Sequence, residues 1–149
     1  MKKANYLLLV LVFIAIPTHV LSQNISKETI IGNWVFNYEA SMDLMNNKAK
    51  EYYGIIDTSK KEEIIGAFKN RKITFNEDGS FSQQLFNGKI SEGKWVLGNG
   101  NTIDISNESG YVISFRVKNH DGSKLIIIPQ KADGKNANML FTEWYLNRN

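Results

Sequence analysis

Apolar residues occupy every second position along most of the chain after residue 30. Trp34, Phe36 and Tyr38 show this spacing, which is typical of a half-buried strand and predicts a first strand over residues 30–39. After Arg71 the same period returns through seven more short strands, nearly all joined by tight loops that contain glycine. Such a series predicts an antiparallel up-and-down meander, and closing its eight strands into a barrel would remove the exposed edges.

Residues 40–70 interrupt the strand pattern and predict a helical insert after strand one. One set of residues recurs there at three- and four-residue steps, as on one face of a helix: Met42, Met45, Ala49, Tyr52 and Tyr53. Ser41 or Asp43 is a candidate N-cap for this helix. A second helix is predicted from Ser59, because Ser59 and Glu62 match a capping box.

The last strand is predicted over residues 137–146. It is apolar on both faces, so the alternation leaves its register open. Glu143 would face the barrel interior only if the odd positions of this strand point inward.

The composition is that of one globular domain. Hydrophobic residues make up 42% of the 149 residues and charged residues 22%, which excludes disordered and collagen-like chains. Removal of residues 1–22 would take Lys2 and Lys3 away and leave 16 basic against 15 acidic residues. A chain so close to neutrality has no strong electrostatic reason to bind nucleic acid or anionic lipid.

Residues 1–22 have the pattern of a secretory signal peptide. Lys2 and Lys3 precede an uncharged apolar run over residues 6–16, and small or aliphatic residues then allow cleavage before Gln23. The run is shorter than a membrane-spanning helix requires, so cleavage is favoured over an uncleaved anchor. The chain has no cysteine, which excludes a lipid anchor on cysteine and any disulfide. We expect an exported protein, periplasmic or secreted, with residues 23–149 as its single domain.

Two motifs carry a resemblance to a known family. Gly32 and Trp34 form a Gly-x-Trp pair on strand one, and residues 75–81 and 93–95 read F-x-x-D-G-x-F and G-x-W. In these motifs the sequence resembles the lipocalin-like proteins of the calycin group, more narrowly the small secreted lipocalin-like proteins of Bacteroidetes. The resemblance covers residues 30–146. The sequence differs from the extracellular lipocalins in lacking their disulfide and in having the helical insert.

The resemblance implies an eight-stranded barrel in which the tryptophan of strand one packs across the closed end. It also implies an arginine near the end of the last strand that packs over this tryptophan. Arg148 is the candidate for that position.

Eight residues are predicted to face the barrel interior and to contact a ligand there: Phe36, Tyr38, Phe75, Phe81, Gln83, Trp95, Tyr111 and Phe115. Two interpretations stay equally open, a cavity for a small apolar molecule and a barrel filled by its own side chains. An inward amide at Gln83 favours a ligand, because an amide in an apolar wall needs a partner.

The helical insert has two interpretations as well. Met42, Met45, Tyr52 and Tyr53 would form a movable lid, since methionine and tyrosine adapt to varied apolar shapes. The same residues would equally serve to anchor a helix on the barrel mouth.

Catalytic chemistry is not indicated. The only histidine after residue 22 is His120, in a predicted turn, and no nucleophile–base pair accompanies it. One histidine and no cysteine also argue against a transition-metal site, so we expect no enzyme, no metal and no cofactor. A basic cluster is predicted to be the solvated face of a helix end rather than a nucleic-acid site: Lys60, Lys61, Lys69, Arg71 and Lys72.

The favoured function is therefore non-enzymatic binding of a small hydrophobic ligand inside the barrel. The alternative is a filled barrel that acts as a cell-envelope interaction module, contacting protein or glycan through its loops and helical insert. An exposed apolar patch on the insert would support the alternative. No nucleic acid is expected as a partner, and no stable membrane insertion after signal cleavage.

Overall fold

The computed structural model describes residues 25–130 and 140–149, which form eight strands and four helices. The predicted signal peptide lies outside the described residues, as does the beginning of the predicted last strand. The strands are β1 (Gly32–Phe36), β2 (Lys72–Phe75), β3 (Ser80–Gln84), β4 (Ile90–Gly98), β5 (Thr102–Ser106), β6 (Val112–His120), β7 (Lys124–Pro129) and β8 (Trp144–Arg148). The helices are α1 (Lys27–Ile30), α2 (Tyr38–Asp43), α3 (Asn47–Ile55) and α4 (Thr58–Phe68).

The strands form a closed barrel in which each pairs antiparallel with its neighbour in sequence. β8 returns to β1, where Leu146 pairs with Phe36 and Arg148 with Trp34. The predicted eight-stranded up-and-down barrel with a helical insert after strand one is thus confirmed. Closure satisfies the backbone groups that an open sheet would leave at its edges.

Strand one is shorter than predicted. It ends at Phe36, because the side chain of Asn37 accepts a 2.9 Å hydrogen bond from the backbone N–H of Ala40 and starts α2. Asparagine is a favoured N-cap, but the alternation of Trp34, Phe36 and Tyr38 predicted that the strand continues past Asn37. Tyr38 therefore belongs to the insert and not to the strand, and its predicted strand position is wrong.

The insert contains three helices where the sequence predicted two. Ser41, predicted as a cap, is fully buried, and its hydroxyl oxygen accepts a 2.9 Å hydrogen bond from the backbone N–H of Tyr145. The predicted caps are wrong because other residues with short polar side chains compete for the same role. The helices begin after Asn37, Asn46 and Asp57. None of the described helices is both long and apolar enough to cross a membrane.

One end of the barrel is sealed by Trp34 and α1. The Trp34 side chain is 1% exposed, and its indole Nε1 donates a 2.8 Å hydrogen bond to the carbonyl of Ile30. The guanidinium of Arg148 lies 4.4 Å from the Trp34 ring and donates to the carbonyls of Thr29 and Ile31. The expected contact between Arg148 and Trp34 is confirmed, and it connects β8 to α1 and β1.

Aromatic side chains fill the interior next to this closed end. Trp95 and Phe75 pack edge to face with ring centroids 5.2 Å apart, and Phe81 lies 5.5 Å from Phe75. The indole Nε1 of Trp95 donates to the carbonyl of Asn76 at 2.9 Å. The interior around Trp95 is therefore a packed core.

The last strand begins later than predicted, at Trp144. Trp144 and Leu146 are buried, so the even positions of β8 point inward. Glu143 precedes the strand and forms a 2.8 Å ion pair with the ammonium of Lys118. An inward-facing Glu143 is thus excluded.

Candidate functional site

The barrel interior is open at the end opposite Trp34. A cavity of about 840 Å³ lies between helices α3 and α4 and the adjoining half of the barrel. This volume falls within the range of pockets that hold small molecules. The cavity exists because the insert covers the mouth of the barrel without filling it: no residue of α3 or α4 is fully buried.

The barrel wall of this cavity is apolar. Strand alternation places the contributing side chains on the inner surface. They come from β2, β3, β5, β6 and β7: Ile73, Phe75, Phe81, Ile105, Ile113, Phe115 and Ile127. Helix α4 adds Ile64 and Phe68 from above. Such a surface excludes water and favours an apolar molecule.

The eight predicted interior residues lie in different parts of the structure. Four of them line the cavity: Phe75, Phe81, Gln83 and Phe115. Trp95 lies in the packed core of the closed end, and Tyr38 belongs to α2. Tyr111 is 56% exposed just before β6 begins, so its predicted interior position is wrong. Its odd-numbered position matches the inward-facing residues of β6, but Tyr111 lies before that strand begins.

Phe36 belongs to an aromatic cluster beneath the insert. Its ring lies 5.4 Å from Phe68, 5.1 Å from Phe141 and 5.5 Å from Trp144. This aromatic cluster (Phe36, Phe68, Phe141 and Trp144) joins α4 to the two strands that close the barrel. Phe68 and Trp144 also form part of the cavity wall.

The four predicted lid residues have different surroundings. Tyr52 lies at the cavity and is 52% exposed. Met45 is buried and Met42 packs against the core, so both anchor the insert. The hydroxyl of Tyr53 lies 3.0 Å from the hydroxyl of Tyr38. Burial, and then this hydrogen bond, raises the pKa of Tyr38 above its ordinary value.

The side chain of Gln83 is half-buried at the cavity. Its predicted inward orientation is confirmed. Its amide is not among the fully buried, unpartnered polar atoms of residues 25–130 and 140–149, so it remains accessible at the cavity. An amide supplies both donors and an acceptor, so Gln83 offers the cavity a polar contact of either kind.

Arg71 is buried where the sequence predicted a solvated cation. Only 9% of it is exposed, and its guanidinium lies 4.2 Å above the Phe68 ring and 5.1 Å from the Trp144 ring. Its Nε donates a 3.0 Å hydrogen bond to the carbonyl of Ala67. The prediction is wrong for Arg71 because its side chain turns back onto Ala67 and Phe68 at the end of α4. Lys69 is exposed as expected. Burial lowers the pKa of Arg71 to about 10.

Trp144 lines the cavity and carries a buried polar atom. Its side chain is 6% exposed, and its indole Nε1 is buried with no hydrogen-bond partner in the described part of the chain. Most buried polar atoms in proteins have a hydrogen-bond partner, so this N–H is an exception among the described residues. The sequence did not identify this residue, because the apolar pattern left the register of the last strand open.

Two lysines lie at the cavity mouth. Lys48 of α3 and Lys60 of α4 contribute to its lining, and Lys60 forms a 2.6 Å ion pair with Glu63. Within the described ranges no aspartate or glutamate lines the cavity. The side chains around the cavity are therefore apolar, neutral polar or cationic.

Potential metal ligands form no cluster among the described residues. Across residues 25–130 and 140–149, histidine, aspartate and glutamate nowhere form a group of three or more that could hold an ion.

No protein-family model matches the sequence, and no curated protein matches it either.

Proposed function

We propose that this protein is a non-enzymatic binder of a small hydrophobic molecule, which it holds in the cavity between the insert and the barrel. The observation that carries the proposal is the volume of about 840 Å³ behind an apolar wall. A barrel filled by its own side chains would leave no space of even about 300 Å³, the lower limit for ligand pockets. The amide of Gln83, at the cavity, supplies a polar contact that would orient a bound molecule.

The proposal is tested with a neutral fluorescent probe, N-phenyl-1-naphthylamine. We expect it to bind the folded protein and to lose affinity in Ile113→Trp, which adds an indole to the cavity wall. A probe displaced from roughly 60 Å² of apolar wall loses ~1.5 kcal/mol, or about tenfold in affinity. The matched control is Val112→Trp, because Val112 precedes Ile113 on β6 and is exposed on the outer surface.

Probe binding that is equal in Ile113→Trp and Val112→Trp would show that the cavity is not the binding site. Absence of any binding to the native protein would reject the proposal as a whole. Both variants are first compared with the unmodified protein by thermal unfolding, so that a loss of fold is not mistaken for a loss of binding.

The alternative, an interaction module, has its own supporting observation. Ile55 is 79% exposed and Tyr52 52% exposed on α3, and Ile65 is 36% exposed on α4. Exposed apolar groups on a helical insert are suited to contact with another macromolecule. A native protein that binds no apolar probe would favour this alternative.

We also propose that the protein is exported, as a lipocalin-like domain that begins at Gln23. The charged start, the apolar run and the small residues before Gln23 support this. Expression of the full chain in a Gram-negative host is expected to give an envelope or secreted product whose mass begins at Gln23. A product that retains Met1 would reject cleavage.

A further inference from the structure

Strand β4 pairs with β3 along its first half and with β5 along its second half. Residues Ile90 to Lys94 lie opposite β3, and residues Lys94 to Gly98 lie opposite β5. β5 ends at Ser106, which is the partner of Lys94. Although the strands form a closed barrel, the segment Ile90–Glu92 therefore has a paired strand on one side only in the described part of the chain.

The free side of this segment presents backbone hydrogen-bonding groups. The backbone N–H of Trp95 donates to the carbonyl of Gly79 just before β3, so the backbone groups at odd positions of β4 face β3. Alternation then directs the N–H and C=O groups of Ile90 and Glu92 to the other side. No strand or turn among the described residues supplies a backbone partner to them there. An unpaired edge of this kind is a template for a further strand.

The surroundings of this edge leave room for such a strand. Ile90 is 58% exposed, and Phe86, in the turn between β3 and β4, is 66% exposed. A second cavity of about 580 Å³ lies beside the edge, where its lining includes Glu92, Lys94 and Asn107. The edge is therefore accessible, and an apolar side chain stands at its start.

A second copy of the chain has the features that this edge requires. Two antiparallel copies related by a two-fold axis at Ser91 place Ile90 of each opposite Glu92 of the other, so every free backbone group of the edge finds a partner. The same arrangement brings Lys89 of one copy toward Glu92 of the other, and unlike charges across a strand pair are favourable. With 16 basic and 15 acidic residues after residue 22, two copies repel each other little.

We infer that two copies of this protein associate through the β4 edge (Ile90–Glu92), which pairs antiparallel with itself and covers Ile90. This inference does not depend on ligand binding. Because the paired segment is short, the interface belongs to the small, transient class, and the dimer forms reversibly at high protein concentration. The competing explanation is that water satisfies the edge and that its charged neighbours keep other strands away.

Sedimentation equilibrium over a hundredfold range of protein concentration tests the association. The weight-average mass of the native protein is expected to rise with concentration toward twice the monomer mass. Ile90→Lys places a charge on the edge, and the two-fold pairing counts each substitution twice, so we expect the dimer to weaken about tenfold or more. The matched control is Val96→Lys. Val96 is 59% exposed on the same strand, but it already pairs with Asp104 of β5, so this variant should associate like the native protein.

A second pair of variants tests the backbone itself. Glu92→Pro removes the N–H that points to the free side, which the monomer does not use, and proline is tolerated on an edge in this orientation. Glu92→Gln removes the charge and keeps the N–H. We expect association to weaken severalfold more in Glu92→Pro than in Glu92→Gln. Thermal unfolding of each variant shows that the fold is retained.

Two results would overturn the inference. One is a native protein that remains monomeric at every concentration. The other is association of equal strength in the native protein, Ile90→Lys and Val96→Lys, since the interface would then lie elsewhere on the molecule. Binding of N-phenyl-1-naphthylamine is measured on the same variants and is expected to stay unchanged, so a failure of this inference leaves the proposed function intact.

Discussion

Replacing Trp34 by alanine is expected to lower the free energy of unfolding by roughly 3–5 kcal/mol. Trp34 is 1% exposed and seals the closed end of the barrel. The substitution leaves a cavity, takes the hydrogen-bond donor from the carbonyl of Ile30 and removes the surface on which Arg148 packs. It therefore weakens the packing of α1 and the β1–β8 closure together.

Chemical denaturation of Trp34→Ala and Trp34→Phe separates these contributions. The phenylalanine keeps most of the packed ring and loses the N–H, so we expect it to cost less than half as much as alanine. An alanine variant as stable as the native protein would show that the closed end is not part of the cooperative core.

Replacing Gly93 by alanine is expected to cost roughly 1–3 kcal/mol, the usual effect of overpacking. Gly93 lies on β4, and a Cβ atom there would collide with the backbone carbonyl of Ser106 on β5. Backbone has less freedom to move aside than a flexible side chain, so the two paired strands must separate locally.

The control for Gly93→Ala is Gly66→Ala. Gly66 lies within α4, and a Cβ atom there would meet nothing within 4 Å. Alanine is the better helix former, so this variant should be more stable by about 0.5–1 kcal/mol. Equal unfolding midpoints for the two variants would contradict the structural explanation.

Strand periodicity was sufficient to predict the barrel and several of its wall residues. Phe75, Phe81, Gln83 and Phe115 occupy inward positions that alternation alone identifies. Alternation assigns a face and says nothing of depth along the barrel axis. Trp95 therefore has the correct face but lies in the closed half, and Tyr111 has the correct parity but lies outside the strand.

The burial of Arg71 could not be predicted from local pattern. Arg71 follows a lysine-rich helix end, where cations are normally solvated. Its burial depends on contacts with Phe68 and with Trp144, which is more than seventy positions away in sequence. Only the closed barrel brings these groups together.

The pairing of β1 with β8 also constrains when the molecule can fold. Arg148 contacts the carbonyl of Ile31 across 117 positions of sequence, and the backbone N–H of Asn149 donates to the carbonyl of Asn33. Contacts of such high sequence separation form late and slow the folding rate. Closure cannot occur before β8 (Trp144–Arg148) has emerged from the ribosome, and loss of β8 would leave β1 with an unpaired edge.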